Sequence, residues 1–262
     1  MKRLILRGYD SFIGKNCIDL LKHKYRIEKF LRKKKIKNSK NTFFFHLSAI
    51  TSVIKSFENP NVTITTNIKL LIESLEYCQK NKVKLIFFST AYQQDKKKFT
   101  SPYSLSKNIC EKICEYYSKE FNMDICIIRL SNIYGNYQKK QLVAEMIHKL
   151  KNKKKIEIMN HKVSRDFLYV KDLISALEKL INHFPKKINI YNISQNKNLK
   201  IIDAISIIKD IVNSNSILVK KNNKNLQSSF ENIKINNNNF KKYFKWKPHF
   251  TFIEGIKDLT SK

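Results

Sequence analysis

Residues 2–14 read KRLILRGYDSFIG, and the fold follows from how they are read. Leu4, Ile5 and Leu6 form a short apolar run of the kind that makes a buried strand. Gly8 comes next, then Gly14, then an apolar-periodic stretch through Ile18 and Leu21. Strand, glycine turn and helix in that order aim helix N–H groups at a pyrophosphate. Gly8 permits the tight turn and Gly14 the close packing of helix on strand. The middle glycine of the usual pattern is Ser11, a small residue that carries a Cβ. Glycine usage adds weight: the chain has only four, at 8, 14, 135 and 255, and two lie in this loop. A sequence so poor in glycine keeps it where backbone geometry requires it.

Outward from this unit, short apolar runs alternate with longer amphipathic ones. Strands are predicted near 3–7, 25–30, 42–47, 84–88, 125–129 and 189–193, and helices near 13–23, 61–81, 103–121, 140–151 and 171–183. That alternation predicts an α/β fold, a doubly wound parallel sheet with helices on both faces. The Asn-rich stretch 213–239 reads as loop or weak structure, with compositional bias an adequate explanation. No internal repeat is present.

The chemistry concentrates at Tyr103 and Lys107, four residues apart and so on one helix face. A lysine cation lowers the cost of a phenolate, so the tyrosine can trade protons closer to neutral pH than its free value of about 10. Upstream, the apolar run 85–88 ends in Ser89 and Thr90, hydroxyls that can hold a carbonyl or alcohol oxygen against the phenol. This is acid–base equipment for an alcohol/ketone pair. A bare Tyr-x-x-x-Lys also occurs on ordinary surface helices, and the surrounding residues decide between the two readings.

Composition bounds the partners. The formal charge is +31, with 46 lysines against 6 arginines. Arginine is the better phosphate fork, its scarcity accompanies no nucleic-acid module, and the lysine, asparagine and isoleucine excess follows AT-rich codon usage. A nucleic-acid partner is therefore not expected, although a basic field draws in a diphosphate substrate or a dinucleotide. No apolar run approaches the roughly 20 residues that span a bilayer, and the charged start does not read as a secretory signal. The five cysteines (17, 78, 110, 114 and 126) lack Cys-x-x-Cys spacing, which suits a reducing cytoplasm. No metal site is expected.

These stretches resemble an extended short-chain dehydrogenase/reductase, of the NAD-dependent nucleotide-sugar epimerase/dehydratase type. Further stretches carry the resemblance almost end to end: HLSA at 46–49, SFENP at 56–60, TNI at 66–68, RLSNIYG at 129–135, RDFLYVKD at 165–172, YNI at 191–193, WKP at 246–248, and Gly255. The resemblance implies a Rossmann-type dinucleotide-binding domain of residues 1–135 plus 164–194, and a smaller substrate lobe of 136–163 plus 195–262. It implies NAD or NADP as cofactor, held by Gly8, Ser11, Phe12, Ile13, Gly14, Leu47, Ser48 and Ala49 together with Tyr103 and Lys107. Tyr103 would be the acid/base and Lys107 its partner. Thr90 would orient the reacting oxygen, with Ser89 taking that place if the strand turn shifts by one residue. Asn67 would position a relay water, or simply bond to backbone. Asn132 and Arg165 would take the diphosphate of a nucleotide-linked sugar, and Asp172 would cap or pair structurally. A homodimer through helices 61–81 and 103–121 and a place in polysaccharide synthesis are habits of the family.

Three departures from the family pattern matter. The stretch between Gly14 and His46 is short, with room for one helix, one strand and a basic link, so the adenine side is trimmed, exposed or rebuilt. The acidic residue expected roughly 20 positions past the glycine loop for the ribose hydroxyls is missing. Arg32 and the lysines at 33–35 stand there instead, which suits a 2′-phosphate and hence NADP, or is one more solvated lysine run. The loop from Thr90 to Tyr103 is also short and begins AYQQ at 91–94, without the Asp-Glu pair that 4,6-dehydratases use. Dehydration is thus disfavoured, and C4 epimerisation or 4-keto reduction remains. The alternative is a degenerate member that keeps the fold as a non-catalytic binding or partner protein.

Overall fold

The computed structural model describes residues 1–31, 41–91, 101–159, 161, 163–221 and 235–261. Strand β1 (Arg3–Arg7) lies inside a six-stranded sheet with β2 (Arg26–Lys29), β3 (Thr42–His46), β4 (Lys84–Thr90), β5 (Ile125–Leu130) and β9 (Ile188–Ile193), in the order β2-β1-β3-β4-β5-β9. Every neighbouring pair is parallel. Such a sheet is buried on both faces, so its strands read as continuous apolar runs rather than alternating ones. Leu4, Ile5 and Leu6 are fully buried, as are Phe44 and Phe45 on the adjoining strand.

The pleat divides these side chains between two cores. Leu4, Leu6, Phe43, Phe45, Ile86 and Phe88 pack with α1 (Phe12–Leu21) and α6 (Val170–Asn182). Ile5, Phe44, Leu85 and Phe87 face the other way, onto α3 (Pro60–Asn81) and α4 (Pro102–Glu120). The result is the Rossmann-type fold expected from the sequence. From β1 the order runs outward to β2 on one side and to β3 on the other. That reversal opens a crevice beyond the carboxyl ends of the strands, where ligands of open α/β sheets bind. The short region after the first βα unit supplies one four-residue edge strand, β2, among the described residues.

A third core fills the carboxyl-side part of the molecule, around Tyr134, Met146, Phe167, Ile205 and Ile256. It is enclosed by three strands, β6 (Asn132–Tyr134), β8 (Ser164–Tyr169) and β10 (Asn198–Lys200), and by the parallel pair β7 (Lys155–Met159) and β11 (Ile217–Lys221). Helices α5 (Leu142–Asn152), α7 (Ile201–Ile211) and α9 (Phe252–Thr260) pack around these strands, and the short α2 (Val53–Glu58) precedes α3. Two elements correct the reading of 213–239 as loop. β11 forms because residues 217–219 are Ile, Leu and Val, pairing with β7, whose Ile156 and Ile158 are buried. Helix α8 (Asn238–Phe244) forms because Phe240 and Phe244, one turn apart, both pack edge-on against Tyr191. Residues 222–234 lie outside the described residues. The Asp172 carboxylate accepts the His249 and Phe250 N–H groups (2.8 and 3.1 Å), fastening the C-terminal segment to α6.

At Gly14 a Cβ would collide with the Gly8 carbonyl and stand 2.8 Å from Tyr9 Cα. Backbone cannot yield as a flexible side chain does, so Gly14→Ala should lower stability by about 1–3 kcal/mol, read from the urea unfolding midpoint. An unchanged midpoint would show that α1 is not locked on β1 by this contact.

Candidate active site

Helix α4 begins where its sequence demands. Ser101 caps it, accepting from Ser104 N (3.1 Å), Ser104 Oγ accepts from Ser101 N in return (3.0 Å), and Pro102 opens the first turn. Tyr103 is thereby fixed in the first turn and Lys107 in the next. Both border a cavity of about 600 Å³ with Ser89, Thr90, Phe88 and Leu130 from the carboxyl ends of β4 and β5.

Lys107 is 4% exposed, its Nζ donates to the Phe88 carbonyl (2.8 Å), and its ammonium lies 4.8 Å from the centroid of the Phe87 ring. Burial brings its pKa down to about 8, opposed by Cys110, Cys114 and Glu111. Glu111, one helical turn on, is itself buried. Its carboxylate accepts from Ser89 Oγ (2.5 Å) and from Arg129 Nε (3.0 Å) and Nη2 (2.5 Å). Sequence reading had passed over Glu111. The signal was an arginine inside the apolar strand 125–130, which needs a counter-charge, and a carboxylate four residues beyond Lys107.

On the sheet's other side, Ser11, Phe12 and Ile13 border the same cavity with Leu47 and Ala49. Gly8 has φ +87°, and a Cβ there would meet Ser48 N at 2.9 Å, so glycine is needed for both conformation and space. Ser11 caps α1, accepting from Gly14 N (3.1 Å) and donating to the Gly8 carbonyl (2.6 Å). Its φ of −67° is ordinary extended backbone, which explains why serine replaces the middle glycine without strain. Gly8, Gly14 and Ser48 stand behind the wall rather than in it. A glycine turn, a capped helix N-terminus and an apolar wall fit the pyrophosphate and nicotinamide halves of a dinucleotide.

At the adenine side no acid is offered by β2. Glu28 pairs with Arg26 (2.8 Å) and Arg3 (3.5 Å). Lys29, at the carboxyl end of β2, instead places its ammonium 4.8 Å from the centroid of the Tyr9 ring, beside Gly8. Sequence reading assigned this place to Arg32, which lies outside the described residues. Asn67 is not in the cavity wall. Its amide accepts from Ile50 N (2.7 Å) and donates to the Ile50 carbonyl (3.2 Å) and Ser106 Oγ (2.9 Å), the backbone-bonding arrangement. Asn132 and Arg165 border the same cavity with Gln138. Asn132 Nδ2 donates to the Asp166 carbonyl (3.2 Å) and Arg165 Nη1 to the Ser164 carbonyl (2.9 Å).

A family model described as the NAD dependent epimerase/dehydratase family matches residues 18–194. The chain belongs to this family. Its members are NAD(P)-dependent enzymes of nucleotide sugars. An uncharacterized UDP-glucose epimerase of Bacillus subtilis is 26% identical over 181 residues, 64% of this chain and 57% of that protein. A dTDP-D-glucose 4,6-dehydratase of Dictyostelium discoideum is 30% identical over 193 residues, 64% of this chain and 44% of that protein. The matched part thus spans about half the length of these curated relatives. RMD from Pseudomonas aeruginosa, complexed with NADPH, superposes with a TM-score of 0.87 at 18% identity, over 100% of this chain and 98% of that one. UDP-glucose 4-epimerase of Thermotoga maritima with UDP-glucose gives 0.83 at 22% identity, over 100% and 98%. At these identities the two structures establish the fold. No helix among the described residues of this epimerase/dehydratase family member is long and apolar enough to cross a membrane.

The lowered pKa of Lys107 makes a signed prediction. Below about pH 8 the lysine is charged both folded and unfolded, and burying that charge costs stability in full. Between about 8 and 10.5 the unfolded chain binds more protons, so stability rises with pH, and above 10.5 the cost is gone. Lys107→Met should therefore gain most over the parent near pH 7, by up to about 3 kcal/mol, and the gain should shrink as pH climbs through that window. Urea unfolding of both proteins from pH 7 to pH 10 checks this, and a gap that widens with pH would contradict it.

Proposed function

We propose that the chain is an NAD(P)-dependent enzyme acting on a nucleotide-linked sugar, by C4 epimerisation or 4-keto reduction. The observation that carries this reading is the buried Lys107, anchored to the Phe88 carbonyl one helical turn from Tyr103, in a cavity shared with Thr90 and Arg165. A buried cation without this task would be a liability against a parallel sheet.

In this proposal Tyr103 takes or returns the proton of the sugar hydroxyl, and the Lys107 charge stabilises the phenolate. Thr90 orients the reacting oxygen, because the Ser89 proton is committed to Glu111. The bound dinucleotide supplies or accepts the hydride. Arg165 and Asn132 hold the diphosphate of the substrate, where an arginine fork is chemically apt. The reading divides the chain into a cofactor body of 1–135 plus 164–194 and a substrate lobe of 136–163 plus 195–262, with the cavity between them. Elimination has no place in it, since the sequence after Thr90 lacks the Asp-Glu pair, although a dehydratase is among the relatives. Lys29, with Arg32, would favour a 2′-phosphate. A homodimer through α3 and α4 fits their side-by-side packing and the exposed Val62, Tyr116 and Phe121.

Tyr103→Phe should lower turnover by at least about 10²-fold with dinucleotide affinity nearly intact, scored on a panel of UDP-, dTDP- and GDP-linked hexoses by chromatography of the products. Near-normal turnover would remove Tyr103 from the mechanism. Lys29→Glu should weaken NADPH binding by about tenfold, the scale of one charge-assisted contact, and leave NADH nearly unaffected. Equal losses for both cofactors would remove Lys29 from 2′-phosphate recognition.

A further inference from the structure

Strand β3 ends in a histidine that the proposed chemistry leaves unused. His46 is buried, on the α3/α4 side of the sheet beside Phe87. Two cations face it, Arg7 from β1 and Lys107 from α4. The carboxylate at that place, Glu73 of α3, is taken up by Arg7 (2.5 Å). Burial, then Lys107, then Arg7 hold the imidazole well below its usual pKa, against a hydrogen bond to the Ser48 backbone that works the other way. The ring is therefore neutral and has one N–H to give.

A backbone contact that favours the protonated ring is one that accepts from it, so the single N–H points to Ser48. Nδ1, 2.9 Å from Ser74 Oγ, is then an acceptor and takes the serine proton, for which the Leu70 carbonyl at 3.1 Å is the competing acceptor. Ser74 Oγ in turn accepts from Arg7 Nη1 (3.2 Å). Arg7 is fixed by Glu73 and by the Phe30 ring, whose centroid lies 5.4 Å away. Donors thus run one way, from Arg7 through Ser74 and His46 to the residue that packs on the glycine turn. Ser48 N and Oγ lie 2.9 and 3.0 Å from where a Gly8 Cβ would be, and Leu47 N donates to the Arg7 carbonyl (2.9 Å). The flanking residues, Leu47 and Ala49, are cavity wall.

We propose that His46 is a positioning residue, the last link of an Arg7–Ser74–His46 relay that holds Leu47, Ser48 and Ala49 against the Gly8 turn in the form that accepts the dinucleotide. The relay rests on the cofactor reading above but makes a claim of its own about the free protein. It couples the first residue before the glycine turn to the opposite wall of the cofactor cleft. Neither the imidazole nor the serine touches the reacting atoms.

Hydrogen–deuterium exchange and NADPH titration of the full chain, compared with His46→Phe and Ser74→Ala, test it. His46→Phe should speed exchange at the Leu47 and Ile50 amides, which donate to the Arg7 carbonyl and to Asn67 Oδ1, and raise the NADPH Kd, each by about tenfold. Turnover at saturating cofactor should stay the same. Ser74→Ala, which leaves the ring in place, should move both readouts the same way by less. Equal protection of Leu47 and Ile50 in all three proteins overturns the proposal whatever the cofactor does. So does a kcat loss with Kd unmoved. Lost protection in a protein whose parent binds no NADPH instead overturns the cofactor reading and its dinucleotide clause, leaving the relay as a brace of the turn.

Discussion

The ammonium of Lys107 is the constraint around which the carboxyl edge of the sheet is organised. A lysine that is 4% exposed, held on the Phe88 carbonyl, resists its own charge: burial brings the pKa down to about 8. Proteins tolerate such a group when neighbours compensate or chemistry requires it. Here the compensation is partial, with Glu111 the charged neighbour, and the residue borders the cavity with a tyrosine one turn away. The capped start of α4 then matters, because the Ser101–Ser104 box sets the helical phase that brings Tyr103 and Lys107 to one wall.

Around that lysine, buried and half-buried charges form a belt on the α3/α4 face. Arg7 with Glu73 lies at one end, Arg129 with Glu111 at the other, and the neutral His46 stands between the cations Arg7 and Lys107. Each full charge except Lys107 has a close opposite partner, as buried ions require. The belt crosses β1, β3, β4 and β5, four of the six strands, close to the ends where the cavity opens. It explains how a chain with so large an excess of lysine builds a site from few, well-placed arginines.

The parallel sheet, its helices and the Tyr103–Lys107 pair were legible in the sequence, because apolar runs of strand length and helical spacing are local signals. The edge strand at 26–29 was legible too, within the predicted 25–30. What escaped was set by tertiary context. β11 and α8 are local segments in an Asn-rich region whose order comes from β7 and from Tyr191, neither of them near in sequence. The partnership of Glu111 with Arg129 and Ser89 spans three elements. Lys29 looked like one lysine among many until its place over Tyr9 was seen. Asn67 had two readings from sequence, and only the fold shows its amide spent on Ile50 and Ser106.

On the proposed function, a glycine turn modified at Ser11, with a shortened adenine side, still binds a dinucleotide next to Tyr103. Calorimetric titration of the purified chain with NADPH and with NADH, after a denatured sample has been checked for retained cofactor, addresses it most directly. Saturable binding at one site per chain, tighter for NADPH, is expected. Absence of binding by either, with none retained, would contradict it and leave a fold that has kept Tyr103 and Lys107 without a hydride carrier.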